Sequence, residues 1–116
     1  MNAVGGHGFR WGGGFGFDVS VFGYPVNLNG DQIMWACWGT SGTGWIGAYE
    51  FNYIAGCNFG GGSSGGPWLD EYSNTSGLGY VRSVTSNGPT DSTAYIQGPY
   101  FDSRVNDLFV AANNDW

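Results

Sequence analysis

The chain has 116 residues, with three arginines and no lysine against nine carboxylates, and a formal net charge of −6. So acidic a surface cannot neutralise phosphates, which excludes nucleic acid as a partner, and it offers no polybasic face to anionic lipid. No apolar stretch approaches the roughly 20 residues that a membrane-crossing helix needs, so no membrane partner is expected either.

Twenty-three glycines, four prolines and an aromatic content of 18% favour short strands joined by tight turns. A chain of this length fits one domain. Residues 1–14 read as a lead-in segment. Met1-Asn2-Ala3-Val4-Gly5 has neither the charged start nor the apolar core of a signal peptide, so the sequence is expected to be a mature form or an excised piece. Phe15, Phe17, Val19 and Val21 in near alternation predict a first strand that ends at Gly23-Tyr24-Pro25. Asn29-Gly30 then signals a turn.

The runs QIMWACW and WIGAYEFNYIAGC predict the two arms of a long hairpin, with Thr40 to Gly44 between them. GPWLDEY predicts a short strand, SNTSG a loop, and LGYVRSVTS another strand ending at Asn87-Gly88-Pro89. STAYIQGPY adds one more. The period then changes: Val105, Leu108, Phe109 and Ala112 recur at i, i+3, i+4 and i+7 behind Asp102 or Ser103 as N-cap, which predicts a terminal helix over 102–112. The fold class is therefore all-β, a small six-stranded antiparallel barrel with a C-terminal α-helix, built from residues 15–116.

Cys37 and Cys57 are the only cysteines and His7 the only histidine. That leaves no ligand set for a Cys/His metal site, and neither metal nor cofactor is expected; a disulfide is. Closing a loop of about 20 residues, it would contribute on the order of 3 kcal/mol and points to an oxidising, extracellular compartment. Asp70-Glu71 reads as a solvated turn, and Asp31, Asp91 and Asp107 are too scattered for a calcium cage. Asn74-Thr75-Ser76 meets the N-glycosylation rule in a predicted surface loop. The six tryptophans are assigned to core packing and an interface, with a sugar-stacking platform as the alternative.

The stretch GGGSSGGP, residues 60–67, has the composition of a flexible loop, but its order is that of a shaped turn. Gly62 and Gly65-Gly66 flank Ser64, Pro67 stops the turn, and an apolar strand follows. A nucleophile in acyl transfer needs its hydroxyl on a sharp turn, beside backbone N–H groups aimed at the developing oxyanion. Glycine permits both the angles and the close approach. Ser64 is thus the candidate nucleophile, and the Gly62 and Ser64 amides are candidate oxyanion donors.

Gly62-Ser63-Ser64-Gly65-Gly66-Pro67 resembles the Gly-x-Ser-Gly-Gly-Pro signature of trypsin-like, chymotrypsin-fold serine peptidases. Gly23-Tyr24-Pro25 looks like the GYP step of their bacterial, secreted members. Ser83 to Gly88 is similar to the segment whose extended backbone pairs with a bound peptide. The resemblance covers roughly residues 15 to 112 and corresponds to the second of that family's two barrels. It implies a serine endopeptidase with a peptide or protein substrate and Ser64 as nucleophile. One wall of the specificity pocket would be Asn58, Phe59 and Gly60, and the other Ser86, Asn87 and Gly88. The residue before the nucleophile is often an aspartate that receives a freed N-terminus on activation; here it is Ser63, so that switch does not carry over. An uncharged Asn58 argues against a strict Arg/Lys preference.

The family takes its His and Asp from the first barrel, which is absent here, so the isolated chain is expected to be nearly or wholly inactive. Its expected partner is that missing N-terminal barrel, or a second copy bound through the exposed face. His7, Asp18 and Ser64 do occur in the family's His, Asp, Ser order, which raises a compact triad; His7 in GGHGF fits a lead-in to the second barrel better. The alternatives are a non-catalytic peptide- or glycan-binding domain and a stand-alone barrel with a structural or assembly role.

Overall fold

A computed structural model describes residues 5–88 and 95–114. Eight strands and one helix follow in order: β1 (Gly8–Phe9), β2 (Asp18–Gly23), β3 (Trp35–Thr40), β4 (Gly42–Ile46), β5 (Tyr49–Ala55), β6 (Pro67–Ser73), β7 (Leu78–Val84), β8 (Tyr95–Pro99) and α1 (Ser103–Asn113). They form two sheets, one ordered β1-β7-β6-β2-β3 and the other β4-β5-β8. The chain is mostly β with a terminal helix, as its sequence predicts.

The strand count and layout differ from the six-stranded barrel. The described residues form two sheets, which meet where β3 runs into β4 through Ser41 and where Asn87 bridges Gln97. The short β1 adds a parallel partner for β7, pairing Gly8 with Tyr80 and Phe9 with Val81, where only a lead-in is predicted.

The hairpin is also displaced. β3 pairs with β2, from Asp18↔Thr40 to Gly23↔Trp35, and not with the second arm. The turn lies at Gly47-Ala48, between β4 and β5, with Gly47 at φ +59°. Gly42 and Gly44, which look like turn residues, stand in β4 opposite Tyr53 and Phe51. Ser41 is buried; its amide donates to the Phe17 carbonyl at 2.9 Å and its hydroxyl donates to the Phe15 carbonyl. Those two bonds fix the crossing from one sheet to the other.

The core lies between the sheets. Alternation along β2 turns Val19 and Val21 inward, where they meet Trp68 from β6, Ile54 from β5, Ile96 from β8, and Phe17, Cys57 and Phe59. Trp68 is fully buried, and its indole N–H donates to Thr85 Oγ1 at 2.9 Å, so the ring is buried without an unpaired donor. Cys37 and Cys57 are joined, with Cα atoms 5.8 Å apart, tying β3 to the chain just beyond β5. The other described tryptophans, Trp11, Trp35, Trp38 and Trp45, are exposed, so of these only Trp68 supplies the core; Trp116 lies outside the described residues.

Asp70-Glu71 is not a solvated turn. Asp70 is buried in β6, and its Oδ2 accepts from Arg82 at 3.1 Å and from Arg10 at 2.8 Å. Arg82 also donates to the carbonyls of Gly12 (2.8 Å) and Gly14 (3.2 Å) and lies 4.0 Å from the Phe17 ring centre. A bulge between Asp70 and Ser73 leaves Glu71 at φ +52°, paired with Arg10 at 3.3 Å. Two of the chain's three cations thus hold the 8–14 segment to β6 and β7.

Helix α1 starts where capping chemistry places it. The Asp102 carboxylate accepts from the Arg104 amide at 2.9 Å, satisfying one of the free N–H groups of the first turn. None of its residues is fully buried, and its apolar stripe reaches the body through Phe109, stacked on Phe9 with ring centres 4.6 Å apart.

Candidate active site around Ser64

Between β5 and β6 the chain makes the turn that carries Ser64. The Ser63 carbonyl accepts from the Gly66 amide at 3.1 Å, closing a four-residue turn whose third residue, Gly65, has φ +83°. L side chains rarely adopt that angle, so glycine is required there. Gly66 is needed for a different reason: a Cβ on it would collide with the Phe22 carbonyl and stand 3.0 Å from the Ser63 carbonyl. The turn is then zipped to the chain beyond β7, Gly65 N–H donating to the Thr85 carbonyl (2.7 Å) and Thr85 N–H to the Gly66 carbonyl (2.9 Å).

Ser64 occupies the second position of this turn and is exposed. Its Oγ lies 3.5 Å from the Ser86 carbonyl, at the outer limit of a hydrogen bond, so the hydroxyl is not tightly held. Gly62 has φ +91°, and a Cβ there would lie 2.8 Å from the Tyr24 carbonyl. Neither the Gly62 nor the Ser64 amide donates to an acceptor among the described residues.

Ser64 stands at the rim of two clefts. One, of about 330 Å³, is walled by His7, Phe22, Met34, Leu69 and Tyr72. The other, of about 690 Å³, runs past Thr85, Ser86, Asn87, Gln97 and Pro99.

Two solved structures share this arrangement of chain. A thermostable serine protease, AL20, from an extremophilic microorganism matches with a TM-score of 0.78 and 30% identity over 91% of this chain. The protease Anisep from Arthrobacter nicotinovorans matches with a TM-score of 0.74 and 32% identity, again over 91%. The chain is the counterpart of the C-terminal half of a trypsin-like serine protease. It spans about half of either protease, 47% of the first and 48% of the second. No protein-family model matches the sequence, and neither does any curated protein.

Ser86 and Asn87 share the larger cleft with Ser64, while a Cβ on Gly88 would lie 2.7 Å from the Tyr95 carbonyl. Asn58, Phe59 and Gly60 lie in the stretch that leads into the Ser64 turn. Phe59 is buried in the core, and the Asn58 carbonyl and Gly60 amide are both taken by the side chain of Asn27. None of the three lines either cleft. Gln97 and Pro99, which do, carry no signal in the sequence beyond their place in a strand.

His7 and Ser64 share the smaller cleft, but Asp18 does not join them. The Asp18 carboxylate accepts from Thr40 Oγ1 at 2.8 Å and lines a separate cleft with Trp38. His7 Nδ1 accepts from the Gly79 amide at 3.3 Å, which puts the proton of a neutral imidazole on Nε2. That tautomer has no free nitrogen left to take a proton from Ser64, so the compact triad is not assembled.

Proposed function

We propose that this chain is the nucleophile-bearing half of a secreted serine endopeptidase. Ser64 Oγ attacks the scissile carbonyl carbon, the Gly62 and Ser64 amides hold the oxyanion, and the amine leaves to give an acyl-Ser64 ester that water then hydrolyses. The observation that carries the reading is the turn itself: an exposed, loosely held serine beside two amides without described acceptors, on a chain matched to serine proteases. The peptide substrate lies in the larger cleft with its backbone against the segment Ser86 to Gly88, of which Ser86 and Asn87 line the cleft.

A serine hydroxyl is a weak nucleophile without a base, so the His and its orienting Asp come from an N-terminal half. In this reading the two sheets, joined through Ser41 and the Asn87–Gln97 bridge, close into one barrel. The Cys37–Cys57 disulfide supports an oxidising, extracellular location. Co-folding the chain with a separately made N-terminal barrel that carries His and Asp is expected to yield hydrolysis of a fluorogenic peptide that disappears in Ser64→Ala. No hydrolysis under any folding condition would sink the half-enzyme reading.

A non-catalytic binding domain is the second reading, favoured by Trp38, Trp45 and Tyr49, which are 76%, 62% and 80% exposed. It requires peptide or glycan binding that Ser64→Ala leaves unchanged. A stand-alone assembly role would instead appear as oligomers in sedimentation.

A further inference from the structure

We propose that Asn27 is a positioning residue for the Ser64 turn, and that together with Ser63 it keeps the oxyanion amides permanently formed. The proposal rests on the reading of Ser64 as a nucleophile. The side-chain amide of Asn27 pairs with the loop as a strand would: Nδ2 donates to the Asn58 carbonyl at 2.8 Å and Oδ1 accepts from the Gly60 amide at 2.7 Å. The Gly60 carbonyl, on the other side of the same residue, accepts from Ser63 Oγ at 2.7 Å, and Ser63 is buried. The backbone next to Asn27 continues the contact, Val26 N–H donating to the Gly61 carbonyl at 2.7 Å. Gly62 lies against the Tyr24 carbonyl, and Gly23 lies against Ser63.

Every residue from Asn58 to Ser63 except the core residue Phe59 is therefore held by the segment Gly23 to Asn27 or by Ser63 itself. Both hydrogen-bonding ends of the Asn27 amide are used, and they are used on backbone groups two residues apart. Without them the loop 58–61 has free carbonyl and amide groups and five glycines within nine residues, a composition with low resistance to rearrangement. The Gly62 amide would then lose its fixed direction. Because all of these partners belong to the chain itself, the turn needs no charged terminus or external group to form.

The test is an amide NMR titration of the full chain with an N-acetylated tripeptide that has a free C-terminal carboxylate. In the wild type the Gly62 and Ser64 amides are expected to shift as the carboxylate enters. At a temperature where every variant is fully folded, Asn27→Ala and Ser63→Ala are expected to bind at least tenfold more weakly. Asn27→Asp, which keeps an acceptor for Gly60 but loses the donor to Asn58, should fall between. Hydrogen exchange at Gly65, whose amide is bonded to the Thr85 carbonyl away from Asn27, reports on the turn independently and should quicken in Asn27→Ala. Wild-type affinity and wild-type Gly65 exchange in Asn27→Ala would overturn the proposal. If the wild type ignores the carboxylate but Gly65 exchange quickens, the positioning role stands and the catalytic reading falls.

Discussion

Gly44 stands directly opposite Phe51 across β4 and β5, and the Phe51 ring folds over it so closely that a Cβ on Gly44 would lie 2.5 Å from Cε2. Gly42 stands in the same relation to Tyr53, with 2.8 Å to Cε1. The rings cover backbone that glycine would otherwise leave open to water. Gly44→Ala is expected to push the Phe51 ring aside and destabilise the chain by about 1 kcal/mol, a typical small overpacking cost. Urea unfolding with an unchanged slope would check it, and a stabilised Gly44→Ala would show that the ring moves freely.

These glycines also explain where the sequence misleads. Thr40 to Gly44 has turn composition, yet the residues opposite it decide its conformation, and those pairings are set by register that local pattern does not contain. Elements governed by their own residues were legible: β2 by alternation, α1 by its period and by Asp102, and the Ser64 turn by the order of its glycines. The Cys37–Cys57 pairing followed from there being only two cysteines. Asn27 and the Arg82–Asp70 pair act through partners 12 to 70 positions away, Gln97 lines the larger cleft from within a strand, and nothing in the neighbouring sequence marks them.

Arg82 and Asp70 form an ion pair whose side chains are only 10% and 12% exposed. Removing one charge from such a pair strands the other in a poorly solvated place. Arg82→Met should therefore destabilise by about 3 kcal/mol, near the low end for broken buried pairs because Asp70 keeps Arg10. Arg82→Lys should not recover the loss, since a lysine cannot reach Asp70 and the Gly12 and Gly14 carbonyls with one forked group. Equal unfolding midpoints for wild type and Arg82→Met would contradict this account.

The disulfide closes a separation of 20 residues and joins β3 to the chain that leads into the Ser64 turn. Replacing both cysteines by alanine should lower stability by about 3 kcal/mol, mainly by freeing the unfolded chain. Chemical denaturation of the double variant, compared with wild type before and after reduction, measures it. A reduced wild type as stable as the oxidised one would remove the disulfide from the account of the fold.

Acid should loosen the start of α1. Hydrogen bonding to the Arg104 guanidinium, at 2.7 and 3.0 Å from Oδ2, holds the Asp102 carboxyl below its usual value of 3.8. A depressed value means that the contribution is complete above the unfolded value of 3.8 and is lost as pH falls through the lower folded value. Protection of the Arg104 amide, its exchange measured against the intrinsic rate at each pH, should fall on titration from about pH 5 to about pH 2. Asp102→Asn, which keeps a capping oxygen without the charge, should show a flatter profile. An identical pH profile in both proteins would exclude Asp102 as the group responsible.

The isolated chain should leave Ser64 unlabelled by a fluorophosphonate probe. Its hydroxyl is exposed and its turn is formed, so access and geometry do not stand in the way. Among the described residues neither His7 nor Asp18 is placed as its proton acceptor: Asp18 is bonded to Thr40 in another cleft, and His7 accepts from Gly79 through Nδ1. Loss of triad members costs on the order of 10⁶ in turnover, which puts labelling below detection in intact mass spectrometry. Mass addition that vanishes in Ser64→Ala would mean that His7 turns its ring to serve Ser64. His7→Gln should then abolish the labelling and identify the base within this chain.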